Sequence, residues 1–176
     1  MKNIIPIIIV SLFLFGCKAE EDEATSSTTE LEGSWKTACY TNSDNTSYYD
    51  TLKFAGNTVT VTGEKHSDTS CATDYRTDVE SLTFAVGDAG KFTVTIGSTF
   101  QKTPKSSSAV SNYNTNSKCG HSDWELNVAK SCSNGNNAGS TVYGIYEISD
   151  TTLYIDVGSS YASSLSKTTS STFTKQ

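Results

Sequence analysis

Five cysteines are the most reactive side chains in a chain of 176 residues, and their spacing divides them into one and four. Cys17 stands on a seam, where an apolar run ends in "LFG" and the acidic block "KAEEDEA" begins. Cys39, Cys71, Cys119 and Cys132 lie in the body of the chain. No C-x-x-C pair occurs among them, which argues against a four-cysteine zinc site. An even set in an exported chain reads as two disulfides. Four cysteines permit three pairings, which the sequence leaves open; local loops favour Cys39 with Cys71 and Cys119 with Cys132. Each bridge would stabilise the fold by about 3 to 4 kcal/mol in the chain-entropy picture.

Other reactive groups form weaker patterns. The string "HSD" occurs at His66 to Asp68 and again at His121 to Asp123. Two such pairs brought together could hold a metal ion, but both sit in serine-rich stretches and read as solvated loop residues, so no metal is expected. There is no G-x-S-x-G and, once the disulfides form, no free thiol, so nucleophilic catalysis has no carrier. Glu64, Glu80, Glu125 and Glu147 show no spacing that pairs two carboxylates across a cleft, and each reads as a solvent-facing charge. Phosphate-loop and dinucleotide fingerprints are missing, so no cofactor and no enzymatic activity are expected. The aromatic residues are the remaining candidates. Tyr49, Phe54, Phe84, Phe92 and Tyr146 fall on alternating apolar runs and are the candidates to line a pocket.

The segments that must position these groups begin with a leader. Lys2 precedes an apolar core from Ile4 to Gly16, too short for a bilayer that needs roughly 20 apolar residues, so residues 1–16 read as an export signal. The seam resembles the lipobox of bacterial lipoproteins, with Leu14 third before the cysteine, Gly16 just before it and Cys17 as the lipidated residue. That resemblance implies cleavage before Cys17 and acylation of its thiol and new amine, so that several acyl chains moor the protein permanently. Lys18, where aspartate would favour inner-membrane retention, points to the outer membrane. Residues 17–30 contain no aromatic or long aliphatic side chain and read as a solvated tether, spanning on the order of 20 Å.

The chain carries 13 Lys and Arg against 19 Asp and Glu, a net charge of −6. Arg76 is the only arginine. A nucleic-acid partner, which demands clustered cations, is not expected. No protein partner can be named from the sequence.

From Leu31 to Gln176 the length fits one domain. Apolar residues alternate at Leu52 and Phe54, at Val59 and Val61, at Leu82, Phe84 and Val86, at Phe92, Val94 and Ile96, and at Leu153, Ile155 and Val157. Period two describes half-buried strands. Turn residues at Ala55 to Asn57, Gly87 to Gly90 and Ser149 to Thr152 mark antiparallel hairpins. Strands are expected near 34–40, 48–55, 58–64, 71–77, 79–86, 91–98, 142–149, 152–158 and 171–175. Eight or nine antiparallel strands suit a closed barrel or a two-sheet sandwich. The insert from Lys102 to Gly139 is polar apart from Trp124, Leu126 and Val128, and reads as a short helix or flap stapled by its two cysteines.

Gly33 and Trp35 on the first strand, the run of hairpins and the late pair "VYGIYEISDTTLYIDV" resemble lipocalin-like domains of bacterial lipoproteins. The resemblance implies an eight-stranded barrel with Trp35 plugging its base and a small apolar ligand entering the other end. The late arginine that packs on that tryptophan in the family has no counterpart here; Lys167 is the cation nearest its place. Lipidation makes a direct prediction. The wild-type protein should partition into detergent-rich or membrane fractions and Cys17→Ser should move to the aqueous phase; equal partitioning of the two would remove the anchor.

Overall fold

The chain's alternating pattern becomes a continuous antiparallel sheet in a computed structural model that describes residues 30–176. The leader, Cys17 and most of the tether lie outside the described residues. Eleven strands form: β1 (Gly33–Lys36), β2 (Tyr40–Thr41), β3 (Ser47–Ala55), β4 (Thr58–His66), β5 (Asp74–Val86), β6 (Lys91–Thr95), β7 (Thr99–Pro104), β8 (Lys130–Ser133), β9 (Thr141–Ser149), β10 (Thr152–Gly158) and β11 (Ser171–Lys175). Among the described residues one α-helix forms, α1 (Ser107–Thr115), followed by a 3-10 turn at Lys118–Gly120, both between β7 and β8.

Eight of these strands close on themselves, in the order β1, β3, β4, β5, β6, β9, β10, β11 and back to β1. Trp35 of β1 pairs with Leu52 of β3 on one side and Lys175 of β11 on the other, so no edge is left free in the ring. The sandwich alternative is therefore excluded. The expected strands at 71–77 and 79–86 are one continuous strand, β5, because Asp78 stays in register with Gly63 and Lys102 instead of turning. The first strand ends at Lys36 rather than residue 40.

Register separates the two ends of the barrel. The tight turns after Ala55, Val86 and Ser149 lie at one end, where Gly56, Gly90 and Asp150 supply positive φ of 57°, 70° and 55°. The long connections lie at the other end: residues 37–46, 67–73, 96–140 and 159–170.

Large apolar side chains fill the tight-turn end. Leu31, Trp35, Phe54, Phe84, Phe92, Tyr146, Leu153 and Phe173 are buried together there. The ring centroids of Phe54 and Phe84 are 4.9 Å apart, Phe84 and Phe92 5.7 Å, and Phe92 and Tyr146 6.1 Å, the tilted and edge-on geometries that aromatic quadrupoles favour. Burial, followed by the Glu30 carboxylate, pushes the Tyr146 phenol up to about 12. Trp35 donates its indole N–H to the Leu31 carbonyl at 2.7 Å, so the floor's largest ring hides no orphaned donor. The cation over Trp35 is Lys175, 5.1 Å from the ring. Lys167, the cation expected near that place, instead pairs with Glu147 and lies over Tyr154.

The insert builds a second, smaller core. Ser106 caps α1 by accepting from the Ala109 amide at 3.2 Å, and Ala109 and Tyr113, one turn apart, face inward with Trp124 and Cys132. The serine-rich run thus forms the helix, while Leu126 and Val128 of the "DWELNVAK" patch are exposed. Strands β7 and β8 extend the sheet beside the upper half of β5. Disulfides Cys39–Cys71 and Cys119–Cys132 are both formed, with Cα separations of 6.1 and 5.1 Å. The first ties the long loops at the barrel's loop end, and the second fastens the insert.

Gly144 is a required absence of side chain. It pairs directly with Phe92 across β6 and β9, and a Cβ there would overlap the Phe92 ring, which lies across the glycine backbone. Gly144→Ala should therefore cost about 1 to 3 kcal/mol by overpacking the floor. Urea unfolding checks this, with a lowered midpoint expected; an unchanged midpoint would contradict the packing.

Candidate ligand-binding site

Along each strand the inward positions continue above the aromatic floor, and there the side chains become smaller. Leu52 of β3, Val59 and Val61 of β4, Leu82 of β5, Val94 of β6 and Ile155 of β10 line the wall. Branched aliphatic chains cannot meet across a barrel as the floor's rings do, so a recess of about 250 Å³ remains between them. Phe54 and Phe92 form its bottom, and Ile96, Val142 and Val157 its rim. Val157 is 57% exposed, which marks the rim as a mouth facing solvent. The volume lies just below the usual range of drug-sized pockets, and fits a small ligand.

One charged side chain lines this recess. Glu80 pairs with Val61 across β4 and β5 and so shares its inward face. Its Oε1 accepts from the Asn134 side-chain amide at 2.6 Å, and the same amide also donates to the Gly97 carbonyl at 2.8 Å. Asn134 is itself held by its backbone N–H donating to Ser98 at 2.9 Å. The insert thus fixes the carboxylate's direction from outside the barrel. A single oriented acceptor in an apolar recess can align a ligand bearing one hydroxyl or amine.

The aromatic candidates from the sequence divide between three places. Phe54 and Phe92 touch the recess, Phe84 and Tyr146 are buried beneath it in the floor, and Tyr49 faces away. Tyr49 has the opposite parity to Leu52 and Phe54 along β3; Lys36 lies 4.2 Å from its ring, and His66 packs against it edge-on. Gly33 adopts φ 110° at the strand start, and Trp35 stands in the floor. The aliphatic wall was present in the alternating runs, but reading for rings passed over it. Glu80 reads as solvent-facing by its charge, although it keeps the two-residue phase of Leu82 and Phe84 on β5.

The two "HSD" strings are not brought together. His66 is buried on β4, its Nδ1 3.2 Å from Asp74, where a solvated loop residue was expected. Its burial follows from the strand continuing through it to pair with Ser47. His121 sits on the insert, with Nε2 3.1 Å from the Ser131 carbonyl and its ring edge-on to Trp124. The Thr73 hydroxyl first, and then the amides of Ser70 and Ala72, hold the Asp68 carboxyl below the usual range, and Asp123 pairs with Lys130. Among the described residues no three metal-ligating side chains cluster. Glu64 pairs with Lys36 at 2.8 Å.

Comparison with known proteins adds no relative. No protein-family model matches the chain, and no curated protein matches it.

Proposed function

We propose that this protein is a lipid-anchored lipoprotein of the bacterial envelope, moored through Cys17, whose lipocalin-like barrel binds or carries a small apolar ligand. The observation that carries the reading is the recess of about 250 Å³, walled by aliphatic side chains above an aromatic floor and open at one end. Burying an apolar molecule there gains roughly 25 cal/mol per Å² removed from water, and the oriented Glu80 carboxylate selects a ligand with one polar end. Described residues begin at Glu30, beside the floor, so a tether running from Cys17 joins at the end opposite the mouth. That arrangement suits an outer-membrane protein that presents its mouth away from the lipid.

A non-catalytic interaction protein is the second reading, and Leu126 and Val128, exposed on the insert, are what favour it. The open recess favours the carrier. Neither reading uses a catalytic residue: the four thiols of the domain are consumed in disulfides, and Glu64 and Glu147 are paired with lysines.

The test is titration of the full chain with N-phenylnaphthylamine, whose fluorescence rises in apolar surroundings. Saturable binding is expected, weakened about tenfold or more by Val94→Phe, which fills the recess, and by Val157→Trp, which narrows the exposed rim. Long-chain alcohols should displace the probe better than alkanes of equal length, and Glu80→Gln should reduce that difference. Probe binding that neither bulky variant changes would overturn the reading.

A further inference from the structure

A second recess lies outside the barrel mouth and has the opposite chemistry. It is a cleft of about 370 Å³ between the upper ends of β4 and β5 and the insert, lined by Lys65, Arg76 and Lys118 and by no carboxylate. In a chain of net charge −6 with one arginine, three cations around one cleft are a local reversal of sign. Lys65 and Arg76 are direct cross-strand partners, a like-charge pairing that ordinarily destabilises a sheet. Asp44 and Asp78 offset part of that repulsion: Lys65 reaches Asp44 at 3.2 Å, and Arg76 gives its Nε–H to Asp78 at 2.9 Å. Asp78 also binds Lys102, so two carboxylates serve three of the four neighbouring cations. Burial holds Lys102 below the usual lysine range, and Arg76 and Lys118 nearby lower it further.

Lys118 is placed deliberately. It lies between Ser117 and Cys119, both in left-handed conformation at φ 45° and 56°. The Cys119–Cys132 disulfide and a bond from the Trp124 indole N–H to the Lys118 carbonyl at 3.2 Å fix that turn against the cleft. No carboxylate pairs with Lys118 among the described residues.

The independent observation is Tyr113. Its side chain lines the cleft and is only 3% exposed, yet its hydroxyl proton meets no acceptor among the described residues, since the neighbouring Arg76 guanidinium can only donate to it. A buried hydroxyl left unpaired costs about 1 to 3 kcal/mol, a cost that a ligand acceptor would offset. The nearby guanidinium favours an anionic acceptor in that place.

We propose that this cleft binds a phosphate monoester, with Lys65, Arg76 and Lys118 as its cations and the Tyr113 hydroxyl as a donor to a phosphate oxygen. The remaining walls are polar and neutral, with Ser67 and Asn112 facing the part of the ligand beyond the phosphate. A hydroxyl-bearing body such as a sugar suits them. The phosphate could come from a soluble sugar phosphate or from a lipid headgroup, and both present the same dianion to the cations. The inference does not depend on the apolar recess, with which the cleft shares no residue.

Calorimetric titration of the full chain in neutral detergent tests it, with glucose 6-phosphate and glucose as one pair of probes. Dihexanoyl phosphatidic acid and dihexanoyl phosphatidylcholine form the other. Either phosphomonoester should bind and its neutral or zwitterionic counterpart should not, and which of the two binds tighter identifies the source. Lys118→Gln, on an exposed turn, should weaken binding about tenfold, and Tyr113→Phe, which keeps the ring packed, about threefold or more. Added salt should weaken it further. Absence of binding by both phosphomonoesters, equal binding of glucose, or affinity unchanged in Lys118→Gln and Tyr113→Phe would overturn the proposal.

Discussion

The barrel depends on a seam only four residues long. β1 has to hydrogen-bond to β3 on one side and β11 on the other, bringing the first and last strands of the domain together. So short a strand contributes few backbone bonds, and what holds it is Trp35 at its centre. The indole is almost fully buried, its N–H satisfied by Leu31 and its face covered by Lys175. Loss of that ring would remove about 3 to 5 kcal/mol, as well as the closure that gives every other strand an inside. Four phenylalanines and Tyr146, from β3, β5, β6, β9 and β11, then pack with it as a floor.

With closure fixed, β5 carries a gradient through the molecule. Its inward side chains run Phe84, Leu82, Glu80, Asp78 and Arg76, from floor to wall to polar top, each pair of residues advancing about 7 Å. Apolar content falls as the strand leaves the ring and takes β7 as its partner. The same strand thus serves an apolar recess at mid-height and a cationic cleft at its upper end. The insert supports both: Asn134 orients Glu80 for the first, and Lys118 and Tyr113 complete the second.

Much of this was readable from period-two alternation. Leu52, Val59, Leu82, Val94 and Ile155 announced which face of each strand is buried, and the turn residues announced the hairpins. The cysteines gave an even set with two local loops, and both pairings are formed. Polar residues on the inward face defeated the same reading. Asp78 marks a break between strands 71–77 and 79–86 when met in sequence, although it stays paired with its cross-strand partner Lys102 inside the sheet. The outward face of Tyr49, by contrast, was legible, since it lies an odd number of residues before Leu52 and Phe54, the inward positions of β3. A short helix in the insert was one of the two expected forms, but its place at Ser107–Thr115 was not legible, because its stabilising features are one serine cap and two inward residues, not a long amphipathic pattern.

The central claim is physical: the wall above the floor is apolar, and the space between its side chains is real and accessible. Xenon tests it directly, since an apolar cavity that stays dry takes up the gas. With the methyl groups of the full chain isotopically labelled, rising xenon pressure should shift the resonances of Leu52, Val61, Leu82, Val94 and Ile155 and leave Ala109 and Val110 of the insert core unmoved. Cup methyls that do not respond, or that respond no more than those of the insert, would mean a filled barrel and would contradict the account.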